Sequence, residues 1–385
     1  MFSFLLAIIY LCFISLGLPD SLLGASWPII HQEFNIPLSY AGIISVIISL
    51  STIVSSLFSD KLTKKFTPGV VTVSSIILTA IALLGFSFSN NFLMLVLFAV
   101  PYGLGAGGVD ASLNNYVALH YESKHMSWLH AMWGLGTTIS PFIMGYALTD
   151  GKGWNEGYFI VSIIQFVIFF IVLFTLPKWK KNHKEEVTNV KALTFKQIFS
   201  IKGAITCFIM FFCYCALEQT AMLWASSYLV SHSGLDENIA ATLASLFCVG
   251  ITIGRIINGF LTLKFNDKKL IKIGITLLII AVGLLFIPNK ITTIIGFVLI
   301  GLGCAPIYPS IIHSTPNLFG EENSQAMIGI QMAFAYSGCL LMPPLFGIIA
   351  KHVTISLLPI YLLILLTIMI LMNIATTKIT KTPKE

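Results

Sequence analysis

The chain has 385 residues, of which 56% are hydrophobic and 10% charged, and its mean hydropathy is +0.90. A soluble domain carries about 25% charged residues, so this composition cannot clothe a water-facing surface and specifies an all-α polytopic membrane protein. The excess of 22 Lys and Arg over 16 Asp and Glu is accounted for by membrane orientation, which excludes the secreted, disulfide-stapled and nucleic-acid-binding classes.

From the N-terminus, the run from Phe2 to Trp27 has no basic leader and no A-x-A cleavage site, so it is expected to be retained as the first spanning helix. A bilayer crossing needs about 20 apolar residues. Apolar runs of that length, separated by polar punctuation, predict twelve helices at 4–26, 38–60, 68–88, 92–120, 126–149, 156–176, 202–230, 238–263, 270–287, 291–317, 325–350 and 355–376. With both termini cytoplasmic, 18 of the 22 bases fall on the inner side and three, Lys152, Lys290 and Lys351, on the outer. That bias is the positive-inside rule, and it predicts a multi-pass protein of the cell membrane. Cys12, Cys207, Cys213, Cys215, Cys248, Cys304 and Cys339 all lie inside apolar runs and read as small packed hydrophobes, not disulfides or metal ligands.

The longest polar stretch, 178–201, carries Lys178, Lys180, Lys181, Lys184, Glu185, Glu186, Lys191 and Lys196. It reads as a solvated cytoplasmic linker, helical in part from Thr194 to Ser200. It separates an N-terminal six-helix bundle (1–177) from a C-terminal one (202–385).

The two halves repeat at an offset near 200. Gly103-Leu104-Gly105 answers Gly301-Leu302-Gly303; Gly136, Pro141 and Gly145 answer Gly338, Pro343 and Gly347; Asp20 and Trp27 answer Glu218 and Trp224. Six helices per half make the repeats parallel, the arrangement of major facilitator transporters, whose substrate sites lie near the midplane. After helix two, Ser56-Leu57-Phe58-Ser59-Asp60-Lys61-Leu62-Thr63-Lys64-Lys65 resembles that superfamily's loop pattern G-x-L-x-D-R-x-G-R-R, with both glycines replaced. Asp60 and Lys61 are therefore expected to control how helices dock, not to bind solute.

Of the 16 acids, 13 sit in loops or at helix ends; Asp20, Asp110 and Glu218 lie inside spans. A charge at a helix centre costs roughly 2.5–3.5 kcal/mol on insertion scales, so such a residue faces a cavity or a partner. Each of the three is a candidate for proton coupling, with a helix-packing hydrogen bond as the alternative. Gly103 to Asn114 reads G-L-G-A-G-G-V-D-A-S-L-N, which places Asn114 one turn after Asp110 on the same face. Together with Gly254-Arg255 before Gly259, and with Ala305-Pro306-Ile307-Tyr308-Pro309, this stretch resembles the fucose, galactose, glucose and proton symporter branch of the major facilitator superfamily. The resemblance implies that Asp110 takes part in proton coupling and that Asp20 supplies a second carboxylate near a sugar.

Neutral groups fill out the candidate solute site: Asn114, Asn258, Gln331, Gln219, Tyr308, Trp27 and Trp224, a mixture of amides and aromatic faces suited to a hydroxylated ligand. The two tryptophans also fit an interfacial belt. His130 at the start of helix five suits packing or gating, and Arg255 either snorkels or pairs with a buried carboxylate. The expected activity is alternating-access symport of a small neutral solute, a monosaccharide above others, driven by protons or sodium. At 100 mV one charge is worth about 2.3 kcal/mol, enough for roughly 50-fold accumulation. A drug or metabolite efflux antiporter of the same fold is the alternative. No metal-ligand spacing, nucleophile with a base, or Walker loop is present, so neither enzyme activity nor a cofactor is expected, and a monomer in the bilayer is.

Overall fold

The computed structural model describes residues 4–149, 151–183, 192–232, 234–235 and 237–380. The middle of the linker, with Lys184, Glu185, Glu186 and Lys191, and the tail lysines Lys381 and Lys384 lie outside the described residues.

The first span is interrupted. α1 (Phe4–Gly17) and α2 (Leu22–Glu33) flank a turn at 18–21, because Pro19 has no N–H to continue the ladder. A short 3₁₀ turn, Leu38–Tyr40, leads into α3 (Ala41–Leu57). The motif expected as a loop is largely helical, as α4 (Ser59–Phe66). Asp60 sits in its first turn and Lys64 in its last, an i,i+4 acid–base pair oriented to favour a helix. Then come α5 (Pro68–Ser87), α6 (Phe92–His120), α7 (Ser123–Thr149) and α8 (Trp154–His183). The linker's end forms α9 (Phe195–Ser200), started by a capping box between Thr194 and Gln197.

The second half runs through α10 (Ala204–Ser231), α11 (Glu237–Leu261) and α12 (Asp267–Leu284) to a second interrupted span, α13 (Lys290–Cys304) and α14 (Ile307–Phe319), broken at Pro306. α15 (Glu321–His352) and α16 (Leu358–Ile379) complete it. Among the described residues nine segments are long and apolar enough to cross a bilayer on length and composition alone. α7 and α12 carry more Ser, His and Lys, and α11 has a shorter apolar stretch, Leu246–Leu261; these three bring the spans to twelve among the described residues.

Contacts divide the chain into two units: Met1–Tyr116 with Leu129–Leu193, and Val117–Trp128 with Thr194–Glu385. The short turn joining α6 to α7 therefore belongs to the second unit. The first unit's core is a cluster of Trp27, Ile30, Leu83, Phe86, Trp154 and Tyr158, with Tyr158 meeting Phe86 edge-on at 5.3 Å. In the second unit, α10 packs along both α15 and α16, and α13 along α11 and α12.

The repeated glycines make equivalent contacts in the two units. A Cβ on Gly103 would lie 2.2 Å from the Ile48 carbonyl oxygen of α3, and one on Gly301 2.3 Å from that of Phe247 in α11. A Cβ on Gly136 would lie 2.3 Å from the Ile14 oxygen of α1, and one on Gly338 2.5 Å from the Phe212 oxygen of α10. The opposing carbonyls share the repeat offset as well: Ile48 answers Phe247 and Ile14 answers Phe212. Lipid tails give helices no hydrophobic reason to associate with one another, so close backbone approach is what holds them.

Gly136→Ala is expected to destabilise the protein by about 1–3 kcal/mol through overpacking, seen as a lower thermal midpoint in detergent. Gly145→Ala, which meets nothing within 4 Å, should leave the midpoint close to wild type.

Candidate functional site

In the first unit the helix break positions Asp20. Its N–H still bonds to the Gly17 oxygen at 3.2 Å, while the residue stands exposed. Two donors reach its carboxylate: the Tyr102 hydroxyl at 2.6 Å and the Trp133 indole N–H at 2.8 Å. Ser21 Oγ donates to the Thr137 carbonyl at 2.8 Å, tying the break to α7. A carboxylate held by two neutral donors keeps further lone pairs for a ligand hydroxyl.

Deeper in the same unit Asp110, Asn114 and His130 form a buried polar chain. Asn114 Nδ2 donates to Asp110 Oδ1 at 2.7 Å and to its carbonyl at 3.0 Å. His130 Nε2 lies 3.1 Å from Asn114 Oδ1, which can only accept, so that ring nitrogen carries a proton. Phe13 meets the imidazole edge-on at 5.4 Å. All three polar residues are buried, and the amide bonds to both the acid and the imidazole.

The second unit holds Glu218 in another way. The Tyr214 hydroxyl, one turn earlier on α10, donates to Oε2. Arg255 of α11, exposed to only 4%, places Nη2 at 3.7 Å from Oε1, so this carboxylate faces a cation. Tyr308, just past the α13–α14 break, meets the Phe211 ring at 4.8 Å and donates to Met332 Sδ at 3.1 Å. Gln219 is half-buried, and its amide makes no hydrogen bond among the described residues.

The remaining candidates are engaged in packing. Gln331 is fully buried, accepting from Thr315 Oγ1 and donating to Cys207 Sγ, each at 3.1 Å. Asn258 donates to Ser127 Oγ at 2.7 Å. The Trp27 and Trp224 indoles donate to the Leu38 and Pro343 carbonyls at 2.7 and 3.0 Å. Asp60 is buried, pairs with Lys64 at 2.9 Å and accepts from the Leu193 N–H at 3.1 Å, which moors the linker's end. Lys61 lies over the Phe58 ring at 5.4 Å.

The family model of the Major Facilitator Superfamily matches residues 9–236 and 207–385. The chain belongs to this superfamily. Among its relatives is the glucose/mannose transporter GlcP of Bacillus subtilis, 24% identical over 310 residues, spanning 78% of this chain and 77% of the relative. The quinolone resistance protein NorA of Staphylococcus aureus is 24% identical over 353 residues, 88% and 87% of the two chains. A solved structure of the Escherichia coli fucose:proton symporter FucP shares the fold with a TM-score of 0.77 at 16% identity, covering 99% of this chain and all of that one. GlcP and FucP are in line with the sugar–proton symporter resemblance carried by the motifs, NorA is named for quinolone resistance instead, and the relatives are transporters, not enzymes.

Within this superfamily fold the sequence marks the acids but not all their donors. Tyr214 is available as the residue one turn before Glu218, on the same face. Tyr102 reaches Asp20 from 82 residues away, which only the fold reveals. Asn114→Leu cuts the link between Asp110 and His130, and is expected to lower stability by about 1–3 kcal/mol in thermal unfolding. Gln219→Leu should stay within about 0.5 kcal/mol of wild type.

Proposed function

We propose that this protein is a proton-coupled symporter, working by alternating access, for a small neutral solute of the monosaccharide class. The observation that carries the reading is Asp20, an exposed acid at a helix break that is bracketed by a tyrosine hydroxyl and an indole. Sugar hydroxyls donate well to such a carboxylate, and an indole offers the flat apolar face that a pyranose ring covers. That glucose, mannose and fucose are named for the relatives supports the same class.

Asp110 is assigned the transported proton. Burial disfavours a carboxylate's charged form, so a change of access from one side to the other loads and unloads it, with Asn114 and His130 holding it in place. Glu218 is assigned to the same cycle, with Arg255 compensating its charge. Tyr308 and Gln219 are assigned to solute contact; Asn114, Asn258, Gln331, Trp27 and Trp224 fix the helices that carry the site. Asp60, Lys61 and His130 are assigned to conformational control. The charge bias, 18 of 22 bases on one side, supports a cell-membrane protein with cytoplasmic termini, two bundles at 1–177 and 202–385 joined by a linker at 178–201, acting as a monomer.

The second reading is proton-driven efflux of a drug or metabolite, favoured by the similarity to NorA over 88% of the chain. Proteoliposomes separate the two. External alkalinisation on adding glucose, mannose or fucose is expected for symport; expulsion of lipophilic cations with no sugar response favours efflux, and a sodium requirement replaces the proton as coupling ion. Asp110→Asn is expected to retain sugar exchange while abolishing gradient-driven accumulation. Unaltered accumulation overturns the coupling role.

A further inference from the structure

The turn joining α6 to α7 is fastened within the second unit by a cluster that the transport site does not use. Ser123 Oγ donates to Asp267 Oδ1 at 2.5 Å. Asp267 Oδ2 lies 2.7 Å from His313 Nδ1, and His313 Nε2 lies 3.1 Å from the Tyr121 carbonyl oxygen. Two further contacts flank these. Asn258 Nδ2 donates to Ser127 Oγ at 2.7 Å, and Trp128 sits so tightly over Gly259 that a Cβ there would lie 2.1 Å from the indole nitrogen.

Both nitrogens of His313 thus face oxygens that are acceptors. A carbonyl can only accept, so Nε2 carries a proton; a carboxylate accepts too, so Nδ1 and Asp267 must share a further one. Neutral imidazole against ionised carboxylate is one proton short of making both bonds. Asp267 lies in the first turn of α12, behind the Asn266 cap, where the helix dipole favours negative charge. The extra proton therefore belongs on the ring. Asp267 is the charged side chain that meets it. Other charged and titratable groups on the turn, His120 among them, and on the elements packed with α14 have their own engagements or stand exposed. His125 meets the Tyr121 and Trp128 rings edge-on at 5.8 and 5.6 Å. Lys269 lies over Phe265, Lys124 pairs with Glu122, Glu322 accepts from Asn323 and Glu218 faces Arg255. Lys268, Lys272 and Glu321 lie toward solvent or lipid, partly or fully exposed.

We propose that Asp267 and His313 form a second proton-binding site, a latch that holds the 117–128 segment, the end of α6, the turn and the start of α7, while the proton is bound and releases it when the proton leaves. A neutral ring gives up either Tyr121 or Asp267, so the turn loses part of its attachment. The turn continues directly into α6 and α7, most of which belong to the first unit. Any step that requires this turn to part from α12 and α14 is then slowed by acid on its own side. That side is cytoplasmic on the orientation proposed above, so the latch would restrain uptake once imported protons accumulate. The latch itself rests on neither the solute nor the coupling ion.

Hydrogen–deuterium exchange on the full chain in lipid nanodiscs, without solute, tests it. After correction for intrinsic exchange, protection of 117–128 is expected to fall roughly tenfold between about pH 6 and about pH 8.5, with peptides of α5 and α8 unchanged. His313→Gln and Asp267→Asn should give low protection at both pH values. Wild-type protection that does not vary with pH overturns the latch, as does a fall shared by α5 and α8, or His313→Gln retaining the wild-type profile. Should a variant fail to fold, the wild-type profile alone decides.

Discussion

A carboxylate can persist inside a hydrocarbon slab only if donors, a cation or water come with it. The three intramembrane acids meet that demand in three ways, and each way dictates local structure. Asp20 sits where Pro19 breaks a helix and leaves the residue exposed. Asp110 is buried and enlists an amide from its own helix. Glu218 borrows a hydroxyl from its own helix and a guanidinium from the next. The contacts that cross between helices, Tyr102 and Trp133 with Asp20, His130 with Asn114 and Arg255 with Glu218, do not tolerate loose helices, since a shift of an ångström or two would open each of them.

Tightness is supplied by backbone, not by side chains. Gly103 and Gly136 bring the helices that carry Asp110 and Trp133 against α3 and α1 at distances that exclude a methyl group, and Gly301 and Gly338 do the same in the second unit. Matching of the opposing carbonyls, as well as of the glycines, shows that the repeat preserves contacts and not only composition. Side chains at the polar clusters have meanwhile diverged: Asp20 and Glu218 occupy corresponding places, yet one has neutral donors and the other an arginine.

Much of the fold was legible because its signals are local. Spanning length, the placement of lysines and the glycine repeats each follow from a few adjacent residues and a bilayer of fixed thickness. Pro19 and Pro306 stand at the two broken spans, but a proline alone does not say whether a helix bends or stops. Candidate site residues were legible as residue types but not as neighbours. Gln331 has the same chemistry as Gln219, yet one is sealed among Thr315 and Cys207 and the other is half open; rotation about the helix axis decides, and helices that are apolar on every side carry no amphipathic stripe from which to read it. His313 and Asp267, 46 residues apart, carried no sequence signal beyond an acid after a capping asparagine.

Asymmetry between the repeats constrains where a proton can be carried. In the second unit Glu218 and the buried Arg255 meet between α10 and α11, and removing one partner of such a pair is costly in a medium of low polarity. Asp110 accepts from a neutral amide, a partner that serves either protonation state of the acid, and His130 presents its Nε2–H to the same amide. The proton-carrying role proposed for Asp110 draws on this buried, amide-bound setting, and the ion pair of the second unit fits the compensating role proposed for Arg255.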